Sequence, residues 1–442
     1  MKNRFDLLDK IKSKKIKVAV VGMGYVGLPL ALEYALRGIE TLGFDVDKKK
    51  ISELNKGNNY NQDLDSKLVK KCVNEKKLSA TTDFSKLKEC DAIFICVPTP
   101  FTTNKDPDIS FIIEASKQIA TYLRKEQIII LKSTTFPGTT EKHVKPILEK
   151  QGLKAGKDFY LAFSPERIDP GNKVWNTSNT PIVVGGVTKK CTDLAVEIMS
   201  LVVDKVLPVS SPAIAEMEKL LENIFRGVNI ALVNELAQLS DRIGINIWEV
   251  VDAASTKPFG FMPFYPGPGI GGHCILIDPY YLEWMAREYD FVTNFITLAA
   301  EINEQMPFYV TSMVVKEIAK QAITLKQAKV LILGMAFKKD VDDLRHSPAL
   351  KVAELLMKEG ISTISYFDPY IPEIIINSKI FKSENQLTPS LLKKFDAVVI
   401  TTGHSMLDFE MIAKNSKVVI DTRNACKNVK NRKNIVLLGD GK

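Results

Sequence analysis

Short apolar runs recur along the first half of the chain and alternate with stretches that carry apolar residues at helical spacing. A short apolar run bounded by glycine, proline or polar residues is typical of a strand that is buried on both faces of a parallel sheet. The helical stretches between the runs predict crossover helices, so the pattern predicts an α/β fold with an open sheet. The predicted strands cover residues 17–21, 40–44, 91–97, 127–132 and 159–163, and the first predicted helix covers residues 28–36.

A glycine fingerprint, Gly22-Met23-Gly24-Tyr25-Val26-Gly27, lies between the first predicted strand and the first predicted helix. In this setting, Gly22, Gly24 and Gly27 let a pyrophosphate approach the backbone at the helix N-terminus. Asp45 ends the second predicted strand, where an acid holds ribose hydroxyls and repels a 2′-phosphate. The pattern therefore predicts NAD rather than NADP, with a glycine turn used only for packing, or another nucleotide cofactor, as the alternatives.

Polar residues follow the later strands at the points where they end. Pro98 and Thr99 follow the third, Thr134 the fourth, and the sequence Ser164-Pro165-Glu166-Arg167 the fifth. Because ligands bind at the carboxyl ends of strands in open α/β sheets, Thr134 and Glu166 are candidates for chemistry. The alternative is that they only cap or solvate the strand ends.

Two long helical patterns occupy the middle of the chain, at residues 212–242 and about 279–323. Lys219 and Asn223 are four residues apart and share one face of the first helix, beside its apolar stripe. On a surface helix such side chains are more often solvated than functional. Pro307 is expected to start or kink a helix within the second stretch. The long apolar faces predict a linker that also forms a dimer surface.

The last third of the chain repeats the layout of the first. Residues 329–335 repeat the pattern of residues 17–23, and residues 395–400 repeat that of residues 90–95. This repetition predicts a second Rossmann-type fold. Its turn lacks the glycine fingerprint and contains two lysines, which predicts a different phosphate-bearing ligand.

One cysteine stands in the glycine-rich stretch Gly267–Asp278, between the two folds along the chain. Cys274 is a candidate nucleophile, and Asp278 is a candidate acid or base. The alternative is a tight loop with a buried cysteine that acts as a small hydrophobic residue.

Net charge and the numbers of cysteines and histidines favour some classes of function over others. A net charge of +8 is modest for 442 residues and the lysines are spread along the chain, which favours an anionic small substrate over a nucleic acid. The six cysteines form no close pairs and no signal peptide is expected at the N-terminus, which predicts a reduced, cytoplasmic protein. The four histidines are scattered, so no metal site is expected. Residues 16–36 contain charges and glycines and are not expected to span a membrane, and residues 1–15 are expected to be an N-terminal extension.

These motifs together resemble the nucleotide-sugar 6-dehydrogenases of the UDP-glucose/GDP-mannose dehydrogenase family. They lie in that family's order over nearly the whole chain: residues 22–31, 164–167, 218–223, 267–278 and 337–348. The resemblance implies two Rossmann-like, doubly wound domains joined by a long-helical central region. The expected domains are residues 1–208 for NAD, 209–323 for dimerisation and the cysteine loop, and 324–442 for the UDP-sugar.

The resemblance also implies the reaction. These enzymes oxidise the C6 alcohol of a nucleotide sugar to a uronic acid with NAD, through a thiohemiacetal and a thioester on the cysteine that corresponds to Cys274. It further implies a homodimer or larger assembly, a UDP-sugar as the partner, no membrane or nucleic acid, and a supply of sugar acids for surface polysaccharide.

Further site residues are implied in the same way. The residues expected to take part in catalysis are Cys274, Lys219, Asn223, Asp278, Glu166 and Thr134. Those expected to bind NAD are Gly22, Gly24, Tyr25, Val26, Gly27, Asp45, Lys50, Pro98, Thr99 and Arg345. Those expected to bind the UDP-sugar are Glu166, Arg167, Lys219, Asn223, Tyr265, Gly271, Phe337, Lys338 and Arg423.

The sequence of residues 164–172 is similar to the branch that acts on UDP-N-acetylhexosamines, especially UDP-N-acetylglucosamine. UDP-N-acetylmannosamine and UDP-glucose remain alternative substrates. A two-electron hydroxyacid dehydrogenase and a catalytically silent nucleotide-sugar sensor are the alternative functions. Two positions depart from the family pattern: Leu276 replaces an expected proline, and His346 replaces a common glutamate.

Overall fold

The computed structural model describes residues 6–442 except 62–63, 103–105, 168–171, 173 and 273, and the side chains of Cys274 and Leu276 lie outside the described part. The chain divides into two compact units. The first contains residues 1–222 and 280–290, and the second contains residues 223–279 and 291–442. The expected domain boundaries after residues 208 and 323 stay predictions.

The first unit is built on an eight-stranded sheet in the order β3-β2-β1-β4-β5-β6-β7-β8. All neighbouring strands are parallel except β6 and β7. The strands are β1 Lys17–Val21, β2 Glu40–Phe44, β3 Leu78–Thr81, β4 Ala92–Ile95, β5 Ile128–Leu131, β6 Tyr160–Phe163, β7 Ile182–Gly186 and β8 Val206–Val209. The first six strands follow the order of a doubly wound nucleotide-binding fold.

Helices cover both faces of this sheet, which explains why its strands are almost continuously apolar. Val18 and Val20 of β1 pack into one buried cluster, while Ala19 and Val21 pack into another. The helices of the first unit are α1 Leu7–Lys12, α2 Gly27–Leu36, α3 Lys48–Asn55, α4 Ser66–Asn74, α5 Ser110–Tyr122, α6 Lys145–Leu148 and α7 Lys189–Met199.

The N-terminal segment differs from the expected extension. Residues 7–12 form α1, and its Leu7 and Ile11 are buried in the core of the first unit. Two apolar residues four positions apart were too short a pattern to distinguish a docked helix from an amphipathic turn.

The second unit repeats the architecture with a five-stranded parallel sheet in the order β10-β9-β13-β14-β15. A separate antiparallel hairpin pairs β11 with β12. The strands are β9 Lys329–Leu333, β10 Thr363–Phe367, β11 Glu373–Ile376, β12 Lys379–Lys382, β13 Ala397–Ile400, β14 Val419–Asp421 and β15 Ile435–Leu437. The expected second Rossmann-like fold is therefore confirmed.

The helical middle consists of α8 Pro212–Ile243, α9 Ile247–Ala254, α10 Cys274–Ala286 and α11 Asn294–Ala319. The prediction of one helical stretch over residues 279–323 was wrong, because the chain leaves the helix between residues 287 and 293. Pro307 lies inside α11 rather than at its start. The remaining helices are α12 Pro348–Lys358, α13 Pro389–Leu392 and α14 Phe409–Asn415.

Candidate active site

The glycine turn of the first unit follows β1 and leads into α2. Gly22 has a positive φ of 93°, and a side chain there would place its Cβ 2.6 Å from the carbonyl oxygen of Cys96. At Gly27 a Cβ would lie 1.8 Å from the carbonyl oxygen of Gly22. Only glycine fits either position, so the turn can lie flat beneath a ligand that binds to its backbone. This cradle fits the pyrophosphate of a dinucleotide.

Asp45 follows β2 and lies beside the glycine turn. Its carboxylate accepts hydrogen bonds from the backbone N–H groups of Met23 (2.9 Å) and Asp47 (3.0 Å). Each oxygen accepts one of these bonds, so acceptor capacity remains for ribose hydroxyls. Tyr60, which the sequence did not single out, donates its hydroxyl to the carbonyl of Met23 at 2.7 Å and fixes the turn from below. The turn and this acid fit NAD.

Replacing Asp45 tests this assignment. In Asp45→Asn, we expect the KM for NAD to rise about tenfold to a hundredfold, since a hydrogen bond to a charged group contributes about 1.5–3 kcal/mol. Discrimination against NADP should also weaken, because the repelling charge is gone. Initial rates with both cofactors give the answer. Asp47→Asn is the matched control, because Asp47 caps α3 and asparagine caps equally well. An unchanged KM for NAD in Asp45→Asn would contradict the assignment.

The carboxyl ends of β4, β5 and β6 meet at one edge of the sheet, since Ile95 pairs with Leu131 and Leu131 pairs with Phe163. The segments that contain Pro98, Thr99, Thr134 and Glu166 therefore leave the same edge, as the sequence predicted. Tyr25, Val26 and Lys50 lie on the segments that follow β1 and β2.

Two further residues at this edge were missed. Lys132 is buried, with its ammonium 3.4 Å from a carboxylate oxygen of Glu166 and 3.3 Å from the carbonyl of Pro165. Tyr281 of α10 is also buried and donates its hydroxyl to the carbonyl of Thr99. Lys132 could have been found from the sequence, because it follows an apolar strand and a buried lysine needs a partner.

Arg167 lies between two carboxylates of α8. Its guanidinium pairs with Glu218 and, at 2.8 Å, with Glu222, and it donates to the carbonyl of Pro181 at 2.8 Å. Burial, together with the neighbouring Glu222, raises the pKa of Glu218 to about 7. Near neutral pH the Glu218 carboxyl is therefore partly protonated. The expected substrate role of Arg167 stays a prediction, and its two acidic partners are residues that sequence reasoning missed.

Helix α8 carries Lys219 and Asn223 one turn apart, and neither side chain is solvated. Lys219 is 7% exposed and Asn223 is 3% exposed. The side-chain amide of Asn223 donates to Asp278 at 2.5 Å, and Asp278 itself is 1% exposed. A buried polar group without a hydrogen-bond partner costs free energy. The Asn223 amide and the Asp278 carboxylate therefore each need the other as a partner. The structure therefore excludes the interpretation of these residues as an ordinary solvated helix face.

The stretch Gly267–Asp278 is not a loop throughout. Residues 274–278 begin α10, and Pro279 is the sixth residue of that helix, where it removes the N–H that would otherwise donate to the carbonyl of Ile275. Cys274 is the first residue of the helix and Asp278 follows one turn later. The Cys274 side chain lies outside the described residues, so its role as nucleophile stays a prediction.

The glycines before the helix pack closely against the second fold. A Cβ at Gly271 would lie 2.6 Å from the Cβ of Phe337, and the N–H of Gly272 donates to the carbonyl of Arg345 at 2.8 Å. A Cβ at Gly267 would lie 2.5 Å from the guanidinium of Arg423. The structure thus places Gly271 against Phe337 and Gly267 against Arg423, and their shared role in one ligand site stays a prediction.

The remaining predicted residues have other partners. Arg423 donates to the carbonyl of Thr401 at 3.0 Å, and burial lowers its pKa to about 10, so it stays charged near neutral pH. Tyr265 donates to Asp252 at 2.6 Å. Arg345 forms an ion pair with Asp343 at 2.6 Å. Lys338 follows Phe337 in the turn after β9. Their proposed contacts with ligands stay predictions.

His346 stands where the family commonly has a glutamate, and it does not supply the negative charge of that glutamate. Burial and the neighbouring Arg345 lower the pKa of His346, so its ring is neutral near pH 7. Within the described part of the chain, no three His, Cys, Asp or Glu side chains are grouped closely enough to hold a metal ion. None of the described helices is both long and apolar enough to cross a membrane.

Comparison with known families decides the identity of the chain. Its residues 16–203 match the NAD binding domain of the UDP-glucose/GDP-mannose dehydrogenase family, residues 213–305 match the central domain, and residues 331–428 match the UDP binding domain. The chain belongs to this family. It is therefore an NAD-dependent nucleotide-sugar dehydrogenase, and NAD is its cofactor.

Several relatives are similar over almost their full length. The chain is 34% identical to UDP-N-acetyl-D-glucosamine 6-dehydrogenase of Salmonella typhi, over 92% of this chain and 96% of that protein. It is also 34% identical to UDP-N-acetyl-D-mannosamine dehydrogenase of Pyrococcus horikoshii, over 93% and 96%. The solved structure of UDP-D-ManNAc dehydrogenase from Pyrococcus horikoshii superimposes with a TM-score of 0.87 at 32% identity, and covers 96% of this chain and all of that one.

Proposed function

We propose that this nucleotide-sugar dehydrogenase oxidises the C6 hydroxyl of a UDP-N-acetylhexosamine to the carboxylate, and that UDP-N-acetyl-D-glucosamine is its substrate. The substrate class rests on the names of the relatives and on the sequence Ser164-Pro165-Glu166-Arg167. The observation that carries the reaction is the buried pair of Asn223 and Asp278, because Asp278 follows Cys274 by one helical turn. When bound by the glycine turn and Asp45, NAD would supply the acceptor for the hydride that is lost in each of the two oxidations.

In the first oxidation, the C6 alcohol loses a proton and a hydride and becomes an aldehyde. Negative charge develops on the C6 oxygen as the proton leaves. The Lys219 ammonium and the Asn223 amide are donors suited to stabilise that charge, and their burial strengthens the electrostatic effect.

In the second oxidation, the thiol of Cys274 adds to the aldehyde carbon, and its proton ends on the C6 oxygen. The resulting thiohemiacetal loses a hydride and a proton and becomes a thioester. A cysteine suits this step because it is a strong nucleophile and forms a covalent intermediate.

Hydrolysis completes the reaction. A water molecule attacks the thioester carbon, the carbon–sulfur bond breaks, and the thiolate regains a proton. Asp278 and Glu166 are the candidate bases that take the proton from this water, with Thr134 as a further positioning group. Lys132 holds the Glu166 carboxylate in place. The sum is one alcohol, two NAD and one water giving one carboxylate, two NADH and three protons.

The test is the yield of NADH per sugar consumed, measured with UDP-N-acetylglucosamine, UDP-N-acetylmannosamine and UDP-glucose in parallel. Two equivalents with a strong preference for the first are expected. Two equivalents with another sugar would keep the reaction and overturn the choice of substrate. One equivalent would indicate a two-electron dehydrogenase, and none with any of the three would support a silent sensor.

We also propose that the protein is a homodimer or a larger homo-oligomer that associates through α8. This helix of 32 residues carries an exposed apolar stripe, and its members recur every three, four or seven positions. They are Ile214, Met217, Leu221, Phe225, Leu232, Leu236, Leu239 and Ile243. A stripe of this length along one helix is typical of a surface that is covered by another chain.

Charges on this stripe should dissociate the oligomer. In Leu232→Glu/Leu236→Glu, we expect the mass from light scattering at micromolar concentration to fall to that of a monomer, because two carboxylates would be buried without partners. Lys414→Glu, at an exposed position of α14, is the control and should leave the mass unchanged. A monomeric wild-type protein would contradict the proposal.

We place the reaction in the cytoplasm, as a supply of sugar acids for surface polysaccharide. The cysteines support this compartment: Cys72, Cys90, Cys96, Cys191 and Cys426 are all buried thiols without disulfide bonds among the described residues.

A further inference from the structure

The two nucleotide-type folds of this chain use the acid after their second strand in different ways. In the first fold, Asp45 is half-buried and accepts one backbone hydrogen bond on each oxygen. In the second fold the corresponding acid is Asp368, which follows β10 and is 3% exposed. Its two oxygens accept five hydrogen bonds in total.

Four of these bonds come from backbone N–H groups. They are donated by Met335 (2.6 Å), Ala336 (2.9 Å), Tyr370 (2.8 Å) and Ile371 (3.1 Å). The fifth partner is Nε2 of His404 at 3.1 Å. A carboxylate has about four lone-pair sites, so Asp368 is saturated and cannot also hold ribose hydroxyls.

The hydrogen-bond roles of the two ring nitrogens of His404 follow from its second contact. Its Nδ1 lies 3.0 Å from the backbone N–H of Asp340, which is a donor only, so Nδ1 accepts and carries no hydrogen. The neutral ring then carries its hydrogen on Nε2 and donates it to Asp368. His404 is 0% exposed, and both ring nitrogens are used.

These contacts hold both ends of the turn over residues 335–340. His404 connects Asp368, which binds the start of the turn, with Asp340 at its end. Asp340 has a positive φ of 60°, a conformation that is strained for a residue other than glycine and requires support. That support includes Ser405, whose N–H and hydroxyl donate to the Asp340 carboxylate at 2.8 and 2.5 Å.

The held turn carries Phe337 and Lys338, the residues expected to contact the UDP-sugar. Phe337 also packs against Gly271 and Gly272. We propose that His404 is a positioning residue for the UDP-sugar, which acts through Asp340 and Asp368 to fix the turn, and that the second fold holds its nucleotide by this turn and not by its acid. This inference rests on the proposed binding of a UDP-sugar by the second fold.

The test is binding of UDP, measured by calorimetry on the full chain, because it does not depend on turnover. In His404→Ala we expect at least about a tenfold loss of UDP affinity and a similar rise in the KM for the UDP-sugar, while the KM for NAD stays within about twofold. His404→Asn should recover part of the affinity, because its amide oxygen can accept the N–H of Asp340.

The control is Leu392→Ala, which removes a buried side chain of α13 in a cluster that contains no residue of the turn. It should lower the melting temperature and leave UDP affinity unchanged. Unchanged UDP affinity in both His404 variants would overturn the proposal, as would an equal loss in Leu392→Ala. Should His404→Ala fail to fold, His404→Asn compared with wild type decides in the same way. Wild-type protein that binds UDP but oxidises no UDP-sugar would refute the proposed function alone.

Discussion

In Cys274→Ser, formation of the uronic acid is expected to fall by at least about 10³-fold, the scale of loss seen when a covalent nucleophile is removed. A serine hydroxyl is a far weaker nucleophile than a thiolate, so the aldehyde is not captured and the second oxidation cannot proceed. At most one NADH per sugar should appear, and binding of the UDP-sugar should persist. The measurements are product analysis, single-turnover NADH yield and calorimetric titration with the UDP-sugar.

Cys191→Ser is the matched control for this change. Cys191 is buried, and its sulfur accepts hydrogen bonds from Thr188 and Leu161 that a hydroxyl can retain. We expect nearly normal activity in that variant. Normal uronate formation by Cys274→Ser would rule out the covalent route.

Asp278→Asn should separate the oxidations from the hydrolysis. An amide keeps the size of the side chain but cannot act as a base, so release of the thioester is expected to slow by about 10²–10⁴-fold. The enzyme should then accumulate an acyl group on Cys274, visible as an added mass on the intact protein after mixing with UDP-sugar and NAD. A burst of NADH should precede the slow steady state.

The control for this variant is Asp290→Asn. Asp290 is exposed and adopts a left-handed conformation that asparagine also tolerates, so activity should not change. A steady-state rate near wild type without an adduct would remove Asp278 from the mechanism and leave Glu166 as the base.

Much of the fold could be predicted from local pattern. The limits of β1 and β2 agree with the prediction residue for residue, because most of their buried residues are apolar and the next residue is Gly22 after β1 and Asp45 after β2. Helix α8 agrees to within a residue, since its apolar period runs uninterrupted. Helix α1 was missed because only Leu7 and Ile11 face the core.

Site residues could be predicted where the sheet topology places them at one edge. They could not be predicted where two side chains far apart in the sequence form a hydrogen bond. Strand ends in a parallel sheet share an edge, so Thr134 and Glu166 could be grouped in advance. No local signal pairs Asn223 with Asp278, or His404 with Asp368, because those contacts depend on tertiary packing. Residues 274–278 were taken for part of the glycine-rich loop, although they begin α10, which continues through Pro279.

In a chain that carries two nucleotide folds of similar architecture, each ligand could occupy the other's site. The carboxylate of Asp45 can still accept hydrogen bonds from a ribose, whereas that of Asp368 cannot. This difference disfavours binding of NAD to the second fold. Without an available acid or a full set of glycines, the second fold offers a dinucleotide neither its ribose partner nor its flat cradle. Cofactor and sugar nucleotide should consequently saturate the enzyme independently, and excess NAD should not inhibit by displacing the substrate.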